Sequence, residues 1–193
     1  MEASLDAALP FGHGRRVSPP RENAADGDAR LVAAARAGDR GAFGRLYARY
    51  SPMVHGLLLA KVPLAAVDDL VHDVFLAAMG KIGTLRDDDA FGGWLAAIAR
   101  NCARDHHRRA PAEDELTQEP AVEQPDRLEA LAVLDAIRGL PDAYSETLIL
   151  RLVEGLTGPE IAERCGLTPG SVRVNLHRGM KLLKEKLGTD DHD

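Results

Sequence analysis

The sequence predicts an all-α protein in which two small helical domains are joined by an acidic flexible linker. Apolar residues recur at spacings of three and four through most of the 193 residues, which is the period of an amphipathic helix. No segment alternates apolar and polar residues over a length that would form a useful strand. Residues 110–127 interrupt the helical period with three prolines and six acidic residues against one arginine, which is typical of a linker.

Residues 1–28 show no hydrophobic period and contain prolines and glycines among scattered charges, so we interpret them as a flexible arm. The pair Arg15 and Arg16 is not followed by a hydrophobic segment, so neither a secretory nor a twin-arginine signal is predicted. The longest apolar runs span only a few residues, far short of a membrane span. We therefore expect a cytoplasmic protein without membrane insertion.

Residues 29–109 are expected to form the first domain. Phe43 and Leu46 lie on one helical face, and residues 67–75 carry the period through a second helix that ends near Gly80. The acidic run at 87–89 then predicts the start of a third helix, since carboxylates cap helix N-termini.

The third helix has two distinct faces. Its apolar face contains Phe91, Trp94, Leu95, Ile98 and Cys102, which are assigned to the core. Its opposite face collects Gly93, Ala97, Arg100, Asn101, Arg104 and Arg108. Small residues therefore give way to a cationic stripe along which something anionic could lie.

Residues 128–187 are expected to form the second domain. Thr157 and Glu160 make a capping box that begins one short helix, Gly166 breaks it, and Thr168 caps the next helix. Two helices joined by a tight turn, with a basic second helix, indicate a helix-turn-helix. The side chains available to bases and phosphates on its exposed side are Ser171, Arg173, Asn175, His177, Arg178 and Lys181.

The charge is unevenly distributed along the chain. The net charge of −6 argues against a nucleic-acid binder, but the acid is concentrated in the linker, in the arm and in an acidic tail at 188–193. Within the second domain every acidic residue except Glu185 precedes position 170, and five of the six charged residues from 171 to 187 are basic. This polarity predicts local phosphate contacts that are weak in isolation and depend on a partner.

Four motifs occur in a fixed order along the chain. They are Gly38-Asp39 with Phe43 and Tyr47; Asp69-Leu70-Val71-His72-Asp73-Val74-Phe75; Phe91-Gly92-Gly93-Trp94 with Arg100-Asn101; and Leu140-Pro141 with Gly155-Leu156-Thr157, Glu160-Ile161-Ala162 and Ser171-Val172-Arg173. At these separations the combination resembles the extracytoplasmic-function sigma factors of bacterial RNA polymerase. By this resemblance, residues 29–109 correspond to sigma region 2 and residues 128–187 to sigma region 4.

The resemblance implies a protein with no catalytic activity, cofactor or metal. Such a protein binds core RNA polymerase at the β′ clamp helices and the β flap, and it recognises and melts promoter DNA to direct initiation. The matching face for the clamp helices is Asp68, Asp69, His72 and Asp73, and the family commonly has glutamine and glutamate where this chain has His72 and Asp73. An anti-sigma factor is a further implied partner.

The resemblance also implies which residues contact the promoter. For the minus-ten element these are Leu85, Arg86, Arg100, Asn101, Arg104, Arg108 and Arg109. Asn101 would line the pocket for a base flipped from the non-template strand, while the arginines hold the displaced backbone. For the minus-thirty-five element they are the six residues of the helix-turn-helix named above. The acidic linker would pass through the polymerase active-site cleft.

Two other functions are consistent with parts of the sequence. A stand-alone helix-turn-helix regulator would need a sensor or receiver domain in residues 29–109, where no strand–helix alternation occurs. A metal-dependent hydrolase could use the pairs His72-Asp73 and His106-His107, but adjacent helical residues diverge by about 100° and no third ligand falls at a suitable spacing. Cys102 and Cys165 are expected to be reduced and buried.

Overall fold

The computed structural model describes residues 24–109 and 125–188, with side chains from residues 27 and 128 onward. The predicted arm up to residue 23, the linker at 110–124 and the tail from residue 189 lie outside the described residues. Across the described ranges the chain forms eight α-helices and no strand, so the all-α prediction is confirmed. None of these helices is long and apolar enough to cross a bilayer.

The helices of the two domains follow each other in sequence order. The first domain contains α1 (Ala24–Arg36), α2 (Arg40–Leu59), α3 (Leu64–Lys81) and α4 (Phe91–Arg109), with 3-10 turns at Ile82–Thr84 and Asp88–Ala90. The second contains α5 (Pro125–Arg138), α6 (Asp142–Leu152), α7 (Gly158–Cys165) and α8 (Pro169–Lys186).

Two helices begin earlier than predicted. Helix α1 starts at Ala24, inside the predicted arm, because Asp28 is anchored: the Tyr50 hydroxyl donates to Asp28 Oδ2 at 2.7 Å, and an Arg49 nitrogen lies 2.8 Å from Oδ1. Burial raises the pKa of Asp28 above its ordinary value. Helix α5 starts at Pro125, inside the predicted linker, since proline suits the first helical turn.

The core of the first domain lies between α2, α3 and α4. Leu46 and Leu95 are completely buried there, as the helical period predicts, and Met53 is buried with them. Phe91 is also buried, with its ring 5.8 Å from that of half-buried Trp94, so both aromatic side chains contribute to packing as expected.

The predicted helix-turn-helix is formed by α7 and α8. The Thr157 hydroxyl accepts from the backbone amide of Glu160 and the Glu160 carboxylate accepts from that of Thr157, so the capping box is complete. Gly166 ends α7 with φ +66°, a left-handed conformation that favours glycine. The Thr168 hydroxyl accepts from the amide of Ser171 at 3.1 Å and so caps α8.

The second domain packs directly against the first, which the sequence analysis did not anticipate. Helix α6 lies against α2, and α7 lies against α2 and α4, so one cluster of buried apolar residues runs through both domains. The contact is close because α2 has a glycine there: a Cβ added at Gly56 would lie 2.8 Å from Leu150 Cδ2. Arg138 of α5 donates to the carbonyl of Leu59, the last residue of α2, at 2.8 Å and to that of Val62, in the connection after it, at 3.0 Å.

Candidate nucleic-acid and protein interfaces

The outer face of α3 presents the predicted polymerase-binding residues. Asp68, Asp69, His72 and Asp73 are all exposed. Sequence reasoning missed Leu76 and Met79, whose exposed fractions of 49% and 52% extend this face by a further helical turn. Their spacing from Asp69 and His72 was readable in the sequence. The face therefore combines carboxylates with exposed apolar side chains, which suits a protein partner with basic and apolar residues.

The C-terminal half of α4 carries most of the predicted minus-ten residues. Asn101, Arg104, Arg108 and Arg109 are exposed on it. The Arg104 guanidinium donates to the side-chain oxygen of Asn101, and Arg108 lies 3.0 Å from Asp105. An amide and three guanidinium groups thus share one stretch of surface that can meet an anionic strand.

Arg100 lies on the same helix, but Glu146 of the second domain covers it. Its Nε donates to both carboxylate oxygens of Glu146, at 3.2 and 3.1 Å, and a terminal nitrogen donates to Oε2 at 2.8 Å. Burial disfavours the charge on Arg100, but the hydrogen bonds and charge of Glu146 outweigh it, so the pKa of Arg100 is raised. In this arrangement Nε and one terminal nitrogen of Arg100 are bonded to Glu146.

The loop before α4 is held by a residue that the sequence analysis did not select. Leu85 is buried, whereas Arg86 is exposed. A terminal nitrogen of Arg36, at the end of α1, donates to the Leu85 carbonyl at 2.8 Å and to the Asp88 carboxylate. The sequence shows only that Arg36 lies in the last turn of a helix. Its partners could not be predicted, because they lie about fifty residues later in the chain. The Leu85 side chain is therefore buried, and its backbone carbonyl is the group through which Arg36 holds the loop in place.

The outer face of α8 carries the predicted minus-thirty-five residues. Ser171, Arg173, His177, Arg178 and Lys181 are exposed along it. Asn175 differs, because it is half-buried and lines a cavity of about 100 Å³ together with Arg100 and Cys165. Five of the six predicted contacts are thus accessible, and Asn175 faces the first domain.

The thiols and histidines form no metal site in the part of the chain that is described. Cys165 is buried and Cys102 half-buried, and both are free thiols. Burial raises the pKa of Cys165 to about 11, which keeps it protonated near neutral pH. No group of three or more histidine, cysteine, aspartate or glutamate side chains within residues 24–109 and 125–188 is placed to hold a metal ion.

Comparisons with known protein families match both domains. Residues 46–112 match Sigma-70 region 2, and residues 130–183 match Sigma-70, region 4. The first match includes α3 and α4, and the second includes the helix-turn-helix.

Several sigma factors are similar over most of the chain. BldN, an ECF RNA polymerase sigma factor of Streptomyces coelicolor, is 34% identical over 190 residues, which cover 88% of this chain and 71% of BldN. The RNA polymerase sigma factor CarQ of Myxococcus xanthus is 36% identical over 162 residues, which cover 79% of this chain and 93% of CarQ. The ECF RNA polymerase sigma-E factor of Haemophilus influenzae is 32% identical, with 83% and 95% covered.

Solved structures show the same fold. CnrH, solved in complex with the cytosolic domain of CnrY, has a TM-score of 0.61 and 29% identity and covers 86% of this chain and 100% of CnrH. The sigma factor RpoE, solved with the anti-sigma factor NepR from Bartonella quintana, has a TM-score of 0.51 and 22% identity, with 77% and 98% covered. Regions 2 and 4 in one chain, with such relatives, make this protein a member of the extracytoplasmic-function sigma factors, which direct promoter-specific initiation of transcription by RNA polymerase.

Proposed function

We propose that this sigma factor binds core RNA polymerase through the outer face of α3 and promoter DNA through the outer faces of α4 and α8. The observation that carries the proposal is the placement of exposed cations on two separate helices, one in each domain, with the carboxylate-rich face of α3 on a third helix. A chain with these surfaces can contact one partner protein and two DNA segments at once.

The α4 surface is suited to a displaced single strand. The amide of Asn101 can hydrogen-bond the Watson–Crick edge of a flipped base, while Arg104, Arg108 and Arg109 neutralise backbone phosphates. Arg100 joins them once Glu146 no longer occupies its donors. The loop with Leu85 and Arg86, fixed by Arg36, lies directly before this helix and would close the other side of the pocket for the flipped base.

The α8 surface is suited to duplex DNA. Its Thr168 cap and the glycine turn before it fix the angle at which the helix leaves α7. The forked donors of Arg173 and Arg178 can reach guanine edges or phosphates in a major groove, with Lys181 as a backbone contact. Ser171 and His177 add hydrogen-bonding capacity on the same face, and Asn175 joins them when the domains separate.

The α3 surface is assigned to the β′ clamp helices. Asp68, Asp69 and Asp73 supply negative charge, His72 supplies an imidazole that can form a hydrogen bond, and Leu76 with Met79 supplies apolar area. We infer that region 4 contacts the β flap in the same assembly, which would keep the two DNA-reading helices at a fixed distance.

The remaining assignments follow from the family. We infer that sigma region 2 spans residues 29–109, a linker 110–127 and sigma region 4 residues 128–187. The protein acts in the cytoplasm, without catalytic activity and without a cofactor or metal ion. An anti-sigma factor is the expected inhibitory partner, since similar sigma factors have been solved with the cytosolic domain of CnrY or with NepR.

Run-off transcription with purified core polymerase tests the proposal. The full chain should direct a transcript from a defined promoter start, and core enzyme alone should not. Asn101→Ala should reduce permanganate reactivity in the melted region more than closed-complex formation, whereas Arg45→Ala, at an exposed position on α2, should leave both unchanged. Wild-type reactivity in Asn101→Ala would contradict the assigned role of Asn101.

A further inference from the structure

Val174 is an apolar residue in the middle of the outer face of α8. Its exposed fraction is 45%, whereas Val172 and Leu183 on the same helix are 1% and 5% exposed. At about 100° per residue, Val174 and Leu183 lie about half a turn apart around the helix axis. The Val174 side chain therefore faces away from the core of the second domain, and packing within the chain does not account for it.

The residues around Val174 are those assigned to the minus-thirty-five element. Ser171, His177 and Arg178 lie three or four positions from it, which makes them its neighbours on the helix surface, and all three are exposed. Gly170 lies on the same side one turn earlier and is also exposed. Because Gly170 has no side chain and that of Ser171 is short, the start of the helix can approach DNA closely. Val174 is thus placed where a base edge would lie if α8 entered a major groove.

The charge of this face suits nucleic acid as the partner of Val174. Arg173, Arg178 and Lys181 are exposed on it, and the acidic residue of α8, Glu185, lies near the other end of the helix. A surface of this sign attracts phosphates. Valine has no hydrogen-bond donor for a phosphate, so the group that it contacts in such a complex is a base.

Valine can recognise one kind of group in a major groove. The base edges present hydrogen-bond donors and acceptors, and the thymine 5-methyl group is the apolar group among them. A donor or acceptor covered by valine would lose its water without gaining a partner. The thymine methyl group carries no such cost, and the contact removes apolar surface from water on both sides. Valine in a helix also keeps to one preferred rotamer, so its methyl groups lose little freedom on binding.

We propose that Val174 is a specificity-determining residue for the minus-thirty-five element and that it contacts the 5-methyl group of a thymine. The inference rests on the proposed binding of α8 in the major groove. Arg173 and Arg178 supply the charge and hydrogen bonds that hold the helix on the DNA, whereas Val174 favours thymine over the other bases at one position. Removing the methyl group from the DNA, or those of Val174 from the protein, should therefore weaken the same contact.

The first experiment selects DNA sequences with the full chain bound to core polymerase. The promoter of the run-off assay is randomised across the minus-thirty-five region, and the bound fragments are sequenced. Wild type should enrich thymine, on one strand or the other, at a position where Val174→Ala has no base preference, and both should share the preferences elsewhere in the element. Alanine favours helix and ends one carbon short of the valine methyl groups, so Val174→Ala keeps α8 and removes most of the contact.

The second experiment removes the methyl group from the DNA and measures promoter affinity by competition binding. Deoxyuridine in place of that thymine retains base pairing and should weaken binding of the wild-type holoenzyme about three- to fivefold, the loss expected for one methyl group. The same replacement should leave the affinity of the Val174→Ala holoenzyme unchanged. Cytosine at this position should also weaken wild-type binding, and 5-methylcytosine should recover part of the affinity with wild type but not with Val174→Ala.

Leu187→Ala is the matched control. Leu187 is 42% exposed but lies at the end of α8, about 20 Å farther along the helix axis, so this variant should respond to deoxyuridine as wild type does. Identical sequence preferences, or equal responses to deoxyuridine, in wild type and Val174→Ala would overturn the role of Val174 alone. So would a loss of affinity for core polymerase in Val174→Ala equal to its loss of promoter binding, because Val174 would then contact protein. If wild type selects no sequence in this region, the proposed role of α8 fails and this inference fails with it.

Discussion

The imidazole Nδ1 of His55 on α2 lies 2.6 Å from Oε1 of Glu154, a residue 99 positions later in the second domain. The hydrogen bond to Glu154 raises the pKa of His55; burial opposes this effect, and the charges of Glu154 and Asp68 add to it. A titratable group thus joins the two domains, and the contact favours its charged form.

The stability of the chain should depend on the charge of His55. Because its pKa is higher in the folded chain than in the unfolded chain, its contribution is fully present below the ordinary value of 6.5 and is lost as pH rises through the raised value. The difference in free energy of unfolding between wild type and His55→Gln should therefore be larger at about pH 6 than at about pH 9, by about 1 to 2 kcal/mol. Urea unfolding across this range measures it.

A direct NMR titration of His55 provides the control for that prediction. Glu154→Gln removes the main cause of the shift while keeping the shape of the side chain, so the pKa of His55 should fall. A pKa that is the same in wild type and Glu154→Gln would show that the hydrogen bond does not set the titration.

The helices could be predicted because their signals are local. The capping box at Thr157 and Glu160, the positive φ at Gly166 and the buried face of α4 each follow from residues within one or two turns. The same local reading missed the start of α1, because Asp28 is ordered by Tyr50 and Arg49 in the next helix. The helix ends that were predicted depend on nearby residues, whereas the start of α1 depends on residues about twenty positions away in the chain.

The contact between the domains could not be predicted because it depends on pairs far apart in the chain. Arg100 and Glu146 are 46 residues apart, and each alone is typical of a solvated helix face. One signal was present: glycine is unfavourable inside a helix, so Gly56 in α2 and Gly92-Gly93 in α4 indicated surfaces that something approaches closely. The partner that approaches them was not identifiable from the sequence.

Replacing Gly166, in the turn of the helix-turn-helix, should destabilise the chain more than replacing Gly155. Gly166→Ala places a Cβ in a left-handed conformation and 3.3 Å from the Cα of Gly93 in the other domain. Gly155→Ala is the matched control, since its φ of +69° imposes the same strain but no atom lies within 4 Å. We expect losses in free energy of unfolding of about 2 kcal/mol for Gly166→Ala and about 1 kcal/mol for Gly155→Ala. Equal losses would show that the contact with Gly93 adds nothing.

Arg36 should act as a positioning residue for the loop before α4. Arg36→Gln removes the donor to the Leu85 carbonyl and the ion pair with Asp88, so the loop should exchange its amide hydrogens faster and promoter opening should fall several-fold. Hydrogen exchange and permanganate reactivity measure these effects, and binding to core polymerase should be unchanged. Arg30→Gln, at an exposed position on the same helix, should alter neither. Faster exchange with normal opening would restrict Arg36 to a structural role.

Arg178 should contribute to promoter recognition without contributing to polymerase binding. It lies exposed on the outer face of α8 in the second domain, whereas the acidic face of α3 belongs to the first domain. Arg178→Ala should weaken promoter-directed initiation by about 1 to 3 kcal/mol and leave the affinity for core polymerase intact, as measured by run-off transcription and by fluorescence anisotropy of labelled protein. A promoter with a scrambled minus-thirty-five element is the matched control. If Arg178 contacts a base, Arg178→Ala should have no effect on the promoter with the scrambled element. If Arg178 contacts a phosphate, Arg178→Ala should weaken initiation at both promoters alike, and the slope of log affinity against log salt concentration should fall by about 1. Equal loss of initiation and of polymerase binding would contradict the division between the α8 and α3 surfaces.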